Sequence, residues 1–241
     1  MRYFLPIGLM FFLISSANAA VAFDAKITGS DVTFAAGTSF SSTAMTVGAS
    51  ATCLTVGILW SGAVTTPSVT WNGVTMTAAA VESLSGADSR WFFLSSPATG
   101  NHTLAGSWTT SASGYVTAIS WTGTSTSACV KTSDDVGVNL TNIAPITVTI
   151  TSATSDATAA LMNCQNNPCN STNFTSIFAD TTGTNNAGAS YTLGGTSNGH
   201  TFHDDGQGGP SSAQAGAGIH IVAPSGAATF VPQVGGFLIG P

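Results

Sequence analysis

From residue 21 onward, apolar and polar positions alternate in short runs, and no stretch sustains the 3.6-residue period of an amphipathic helix. β-Branched and aromatic residues cluster in these runs, and Gly, Ser, Asn and Asp separate them, which is the spacing of an all-β sandwich or barrel. Strands are predicted over residues 23–28, 31–34, 44–47, 51–60, 68–71, 74–79, 91–94, 102–108 and 115–121. They continue over 146–151, 157–163, 190–193, 213–222, 227–231 and 234–239. The sharpest local signal is Val69-Thr70-Trp71-Asn72-Gly73-Val74-Thr75-Met76. Asn-Gly between two alternating runs specifies a type I′ turn, because both central residues need positive φ. Alternation then puts Val69 and Trp71 on one face of the first strand, and Val74 and Met76 on one face of the second. Such a one-sided ribbon has to pack on another sheet.

Runs 51–60 and 115–121 carry the bulkiest apolar content and read as central strands, the second opened by Gly114 after a Ser/Thr-rich turn. Residues 163–210 are mostly Asn, Thr, Ser and Gly and are expected to form a long polar loop region. No internal repeat or linker divides the rest. The expected fold is an antiparallel two-sheet β-sandwich forming one domain over residues 20–241. Jelly-roll and immunoglobulin-like connectivities both give short strands at this spacing.

Composition narrows the partners. Lys and Arg number 4 against 10 Asp and Glu, for a net charge of -6. So few cations exclude a phosphate backbone as a partner. Ser and Thr, about a quarter of the chain, replace charge as the solvent-facing polar set. The first nineteen residues read as a secretion signal: Arg2, an apolar run from Phe4 to Ile14, and Ala17-Asn18-Ala19 as the small-x-small cleavage site. That run is too short to span a bilayer, and no later one is longer, so the processed chain is expected to be secreted or held at the cell surface without a membrane span. The four cysteines agree with an oxidising compartment. Cys164 and Cys169 bracket an Asn-Pro turn and are expected to pair locally, which leaves Cys53 for Cys129. A Cys53 buried as a free thiol is the alternative.

The succession Thr70-Trp71-Asn72-Gly73-Val74-Thr75-Met76-Thr77, then Trp91-Phe92-Phe93-Leu94 with Pro97 and Gly100-Asn101-His102-Thr103, then Ala118-Ile119-Ser120-Trp121-Thr122-Gly123 resembles β-sandwich modules of secreted and surface-exposed bacterial proteins. The likeness extends to residues 156–161 and 235–240; the segment holding Cys164 and Cys169 and the polar stretch after it depart from the pattern. It carries no catalytic motif, and the family is largely without assigned activity. What it implies is a fold and an exported location.

Candidate chemistry is sparse. His200, His203, Asp204 and Asp205 fall within six positions and form the candidate metal set, the imidazoles favouring zinc or copper and the carboxylates calcium, the cation taken forward. Their spacing fits neither a helical His pair nor an EF-hand, and a solvated Gly-rich loop is the simpler reading. Gly195-Thr196-Ser197-Asn198-Gly199 has the letters of a nucleophile elbow, with Asp204, Asp205 and His220 downstream, but no helix can follow it. Glu82 is the only glutamate, and adjacent acids such as Asp134-Asp135 point to opposite faces of an extended chain, which removes the paired carboxylates of a glycosidase. No catalytic residue is assigned. Trp60 and Trp108 end their strands and are the tryptophans expected to reach a rim, where an indole could stack on sugar. Four Asn-x-Ser/Thr sequons, at Asn101, Asn139, Asn170 and Asn173, are what so much Asn and Thr produces by chance.

The sequence therefore leads to a non-catalytic exported module with a structural or adhesive role, binding other surface proteins or itself. A carbohydrate-binding module using strand-end aromatics, assisted by calcium, is the alternative. A histidine bonded to a serine at the bottom of a pocket would instead mark an enzyme.

Overall fold

The computed structural model describes residues 20–27, 33–43, 45–84, 87–140, 146–165, 170–171, 173–179, 185–203 and 214–225. The nineteen residues expected to be a secretion signal, Cys169, Asp204, Asp205 and the strands expected at 227–231 and 234–239 lie outside them.

Among the described residues the chain is built almost wholly from strands. The first half holds β1 (Ala22–Lys26), β2 (Thr33–Ser42), β3 (Thr46–Val47), β4 (Cys53–Trp60), β5 (Ser68–Trp71), β6 (Val74–Thr75), β7 (Thr77–Leu84), β8 (Ala87–Ser95), β9 (Gly100–Asn101) and β10 (Leu104–Thr122). After a single 3-10 turn at Thr132–Asp134 come β11 (Val136–Leu140), β12 (Ile146–Thr151), β13 (Ala157–Gln165), β14 (Asn170–Ser171), β15 (Thr175–Ala179), β16 (Asn185–Leu193), β17 (Ser197–His203) and β18 (Gln214–Ile221). Every pairing between them is antiparallel.

These strands form four sheets where two were expected. Eight strands follow the path β6-β5-β10-β4-β8-β7, with β1 and β2 also on β10; five run β11-β18-β13-β16-β15, three run β12-β17-β14, and β3 pairs β9. The all-β class holds. The five-stranded sheet is a middle layer. Ala157, Ala159 and Leu161 of β13 pack with Trp91, Ile119 and Trp121 of the large sheet, while Ala160 and Met162 pack with Ile146, Val148, Ile150 and Phe202 of the three-stranded sheet. A third core, around Trp60, Trp71 and Trp108, fills the other face of the large sheet.

Burial on both faces explains the small residues of the middle layer. A Cβ on Gly218 would come within 2.6 Å of the Ile150 side chain. Close-packed interiors tolerate no such addition without strain. The same layering corrects the polar-loop expectation for residues 163–210. Their described parts are largely β15, β16 and β17, and the buried run Ala187-Gly188-Ala189-Ser190 of β16 is small because the layers meet closely there.

Strand β10 supplies a second correction. The turn expected before Gly114 is absent, and one strand of 19 residues runs through it. Its early half lies between β5 and β2, its late half beside β4 and β1, with register shifts at Ser107/Ala112 and Ala112/Gly114 that bend it. Gly114 marks the bend for a steric reason: a side chain there would collide with the Leu59 carbonyl and the Phe34 ring.

The Asn72-Gly73 hairpin is present, with φ of 50° and 76°. Trp71 and Val69 are buried, but Val74 is 52% exposed. The ladder breaks after Thr75, and Met76 turns inward with its N–H on the Val69 carbonyl at 2.8 Å. The Cys53–Cys129 disulfide is formed, with Cα atoms 5.8 Å apart, and ties β4 to the segment leading out of the large sheet. Closing so long a loop is worth about 4 kcal/mol on a chain-entropy basis.

Candidate functional site

Among the described residues, an arrangement with the makings of a site lies where the middle sheet meets the turn after β12. Strand β18 ends with Gly-Ile-His-Ile, and alternation places Ile219 and Ile221 in the core and His220 on the opposite face. His220 Nδ1 lies 2.9 Å from Asp134 Oδ2, and its Nε2 lies 2.7 Å from Asp156 Oδ2. Both bonds form together when both ring nitrogens carry hydrogen, or when one carboxyl holds the proton.

Each acid has further work. Asp156 Oδ1 accepts the Ala223 N–H at 2.8 Å and Oδ2 accepts the Ala153 N–H at 3.3 Å, so this carboxylate holds both its own turn and the chain leaving β18. Asp134 accepts from Lys131 Nζ at 2.8 Å. Lys131 first, and His220 second, hold the Asp134 carboxyl down at about 2. Its neighbour behaves in the opposite way. Burial, then the Asp134 charge, pushes Asp135 up to about 7, and its Oδ1 is buried without a hydrogen-bond partner.

An open cleft of about 540 Å³ lies over this network, bordered by Ser125, Lys131, Asp134, Ser152, Asp156 and His220. The rest of its border mixes hydroxyls (Thr151, Ser155, Ser225) with apolar Ala153, Val222, Ala223 and Pro224. The sequence reading treated Asp134 as a loop acid and His220 as a distant triad member, and never joined either to Asp156. Separations of 86 and 64 residues left no local pattern to find.

The candidate metal set is not assembled by the described residues. The region expected as a loop is strand β17, and His200 on it is fully buried. Its Nδ1 meets Ser190 Oγ and its Nε2 meets Thr158 Oγ1, each at 2.8 Å, with the Phe174 ring against it. Burial pushes His200 down to about 3, so it is neutral, one nitrogen donating and the other accepting. Both of its nitrogens are engaged by hydroxyls in the interior. His203 closes the same strand, and Asp204 and Asp205 follow outside the described residues. Among the described residues no group of three His, Cys, Asp or Glu is placed to hold an ion.

A histidine bonded to a serine was the expected mark of an enzyme, and Ser190–His200 is such a pair. Ser190, His200 and Thr158 are all 0% exposed, however, so no substrate reaches the Ser190 hydroxyl. The second ring nitrogen meets a threonine rather than an orienting acid. Ser197, in the elbow-like motif, opens β17 and pairs with Thr151 after a turn through Gly194 and Gly195. No helix follows it, and His220 is committed to its two carboxylates.

Trp60 and Trp108 do not reach a rim. They are 0% and 5% exposed and meet edge to face, 5.5 Å apart, inside the core of the large sheet. Trp108 Nε1 donates to the Gly37 carbonyl at 2.9 Å. Strand-end position was a poor guide, because β2 covers the half of β10 that carries Trp108.

Other polar groups are likewise spent on structure. Asp24 accepts the Gly48 N–H at 2.8 Å and the Ser120 hydroxyl at 2.6 Å. Buried Asp88 takes a two-pronged bond from Arg90 at 3.1 and 2.9 Å, and Arg90 also holds the Val64 carbonyl. Among the described residues no helix is long and apolar enough to cross a membrane. Comparison with known proteins finds no matching family model, curated protein or solved structure.

Proposed function

We propose that this chain is an exported, non-catalytic β-sandwich module, jelly-roll or immunoglobulin-like in type, with a structural or adhesive role. It would be secreted or displayed on a bacterial surface, where it contacts other surface proteins or further copies of itself. One observation carries the reading. Among the described residues, His200, His220, Asp24, Asp88, Asp134 and Asp156 bond other side chains or the backbone, while outward positions of β12 present hydroxyls. On β12 buried Ile146, Val148 and Ile150 alternate with exposed Thr147, Thr149 and Thr151. Thr147 and Thr201 bond across the strands at 2.9 Å. Hydroxyl faces cost far less to desolvate than charged ones, so they suit extended contact between proteins. The Cys53–Cys129 bridge supports an oxidising compartment.

Sedimentation over a wide concentration range tests the contact role, and reversible self-association is the expected outcome. A sharp monomer at high concentration, with and without calcium, would count against it. Fluorophosphonate should label no serine.

A second reading, glycan binding, keeps one favourable observation. The open cleft over His220, whose border includes the hydroxyls of Ser125, Thr151, Ser152 and Ser155, suits a polyol better than buried Trp60 and Trp108 suit stacking. Calcium near His203–Asp205 belongs to that reading. Glycan-array binding weakened by Asp156→Asn, or a melting temperature raised by calcium, would favour it.

A further inference from the structure

The chain has two Asn-Gly pairs, Asn72-Gly73 and Asn198-Gly199, and the fold treats them oppositely. Asn-Gly is chemically labile because glycine has no side chain to hinder its own nitrogen. That nitrogen can attack the preceding side-chain amide carbon. The Gly N–Asn Cγ bond forms, the Cγ–Nδ2 bond breaks, and ammonia leaves with the displaced proton. Water then opens the five-membered imide at either carbonyl, giving aspartate or isoaspartate.

Attack requires a free side-chain amide and a backbone that can rotate. Asn198 has neither. It is 6% exposed, and its Nδ2 donates to Ser152 Oγ at 3.0 Å and to the Gly194 carbonyl at 2.9 Å. The next peptide is held as well, since the Gly199 carbonyl accepts from Asn173 Nδ2 at 2.6 Å. Asn72 is exposed at the tip of a hairpin whose outer strand, β6, has two residues and pairs with β5 through Thr70–Thr75 and Trp71–Val74, flanked by the Met76 N–H on the Val69 carbonyl, while the Asn72 N–H donates to the Thr103 carbonyl on the inner side. A ladder that short at a sheet edge opens at little cost.

We propose that Asn72 is a self-modification site, at which the folded protein converts to aspartate and isoaspartate, while Asn198 is protected by the fold. The only co-reactant is water. Conversion adds a negative charge at the edge of the large sheet. Isoaspartate also adds a backbone carbon, for which a two-residue I′ turn has no register, so β6 is released.

The test is peptide mapping by mass spectrometry, with isoaspartate methyltransferase labelling, after incubation in mildly alkaline buffer. The intact native protein is compared with the same chain reduced and denatured. Unfolded, both sites should convert alike. Folding should slow Asn198 about tenfold or more while leaving Asn72 within about threefold of its unfolded rate. Native Asn72 slowed as strongly as Asn198, or Asn198 converting as fast as Asn72, would overturn the proposal. Because the wild-type protein gives both readings, no variant has to fold, and the outcome is independent of any surface role.

Discussion

Two histidines flank the same threonine and are stabilised in opposite ways. His200 bonds Thr158 directly, and His220 is Thr158's cross-strand partner on β18. His200 sits between layers with only hydroxyls and an aromatic ring around it, and the interior keeps it neutral. His220 sits at the cleft, where two carboxylates take both its nitrogens. The contrast shows that this fold bridges one histidine with hydroxyls in the interior and the other with carboxylates at a cleft. It also explains why neither histidine is free for chemistry.

Removing the His200 ring should have the largest effect. His200→Ala leaves two buried hydroxyls unpaired and a cavity between sheets, and urea melts should show a loss of about 4 kcal/mol. Acid sharpens the comparison. An unfolded histidine protonates near 6.5, and folded His200 only at about 3. The unfolded chain therefore binds the extra proton, and stability falls by up to about 1.4 kcal/mol per pH unit between those values. His200→Gln, which can still donate and accept, should flatten that slope. A wild-type protein equally stable at pH 6.5 and pH 4 would break the account.

At the other histidine, Asp156→Asn should cost about 2 kcal/mol, because a buried charge-assisted bond is lost. Asp134 is more open, so Asp134→Asn should cost less than about 1 kcal/mol. The Asp134 contribution has its own window. Its folded value is depressed, so that stability is present above 3.8 and is lost as pH falls through about 2, later than the His200 loss. An effect of similar size to that of Asp134→Asn should be a gain. Asp135 is raised to about 7, so its carboxylate opposes folding at neutral pH and above. Asp135→Asn should add on the order of 1 kcal/mol there, discounted for partial exposure, and nothing below pH 3.8. Denaturant midpoints at two pH values would check it.

Much of the strand content was legible because alternation survives wherever one face is wet. β12 was found at its full length and β5 likewise, and the Asn72-Gly73 turn followed from backbone sterics alone. Legibility failed where both faces are dry. β16 runs Asn-Asn-Ala-Gly-Ala-Ser before its Tyr-Thr-Leu end, since neighbouring layers leave no room at Ala187–Ser190 for the branched residues that advertise a strand. Gly114 looked like a break because a glycine required by a close carbonyl has the same letter as one required by a turn. His200 looked like a ligand because sequence does not show that Ser190 and Thr158 will close on it. The clamp at His220 joins parts of the chain more than sixty residues apart, and only the register of β13 on β18 brings them together.

The cystine between Cys53 and Cys129 also bears on mechanical load. Every strand from β5 to β10 lies inside the loop it closes. Tension applied to the two chain ends would bypass those strands, because the covalent link carries the force. The 76-residue separation withholds roughly 250 Å of extensible contour until the bridge is reduced. A protein pulled from its ends would thus lengthen in two stages, and a reducing agent would decide whether the second occurs.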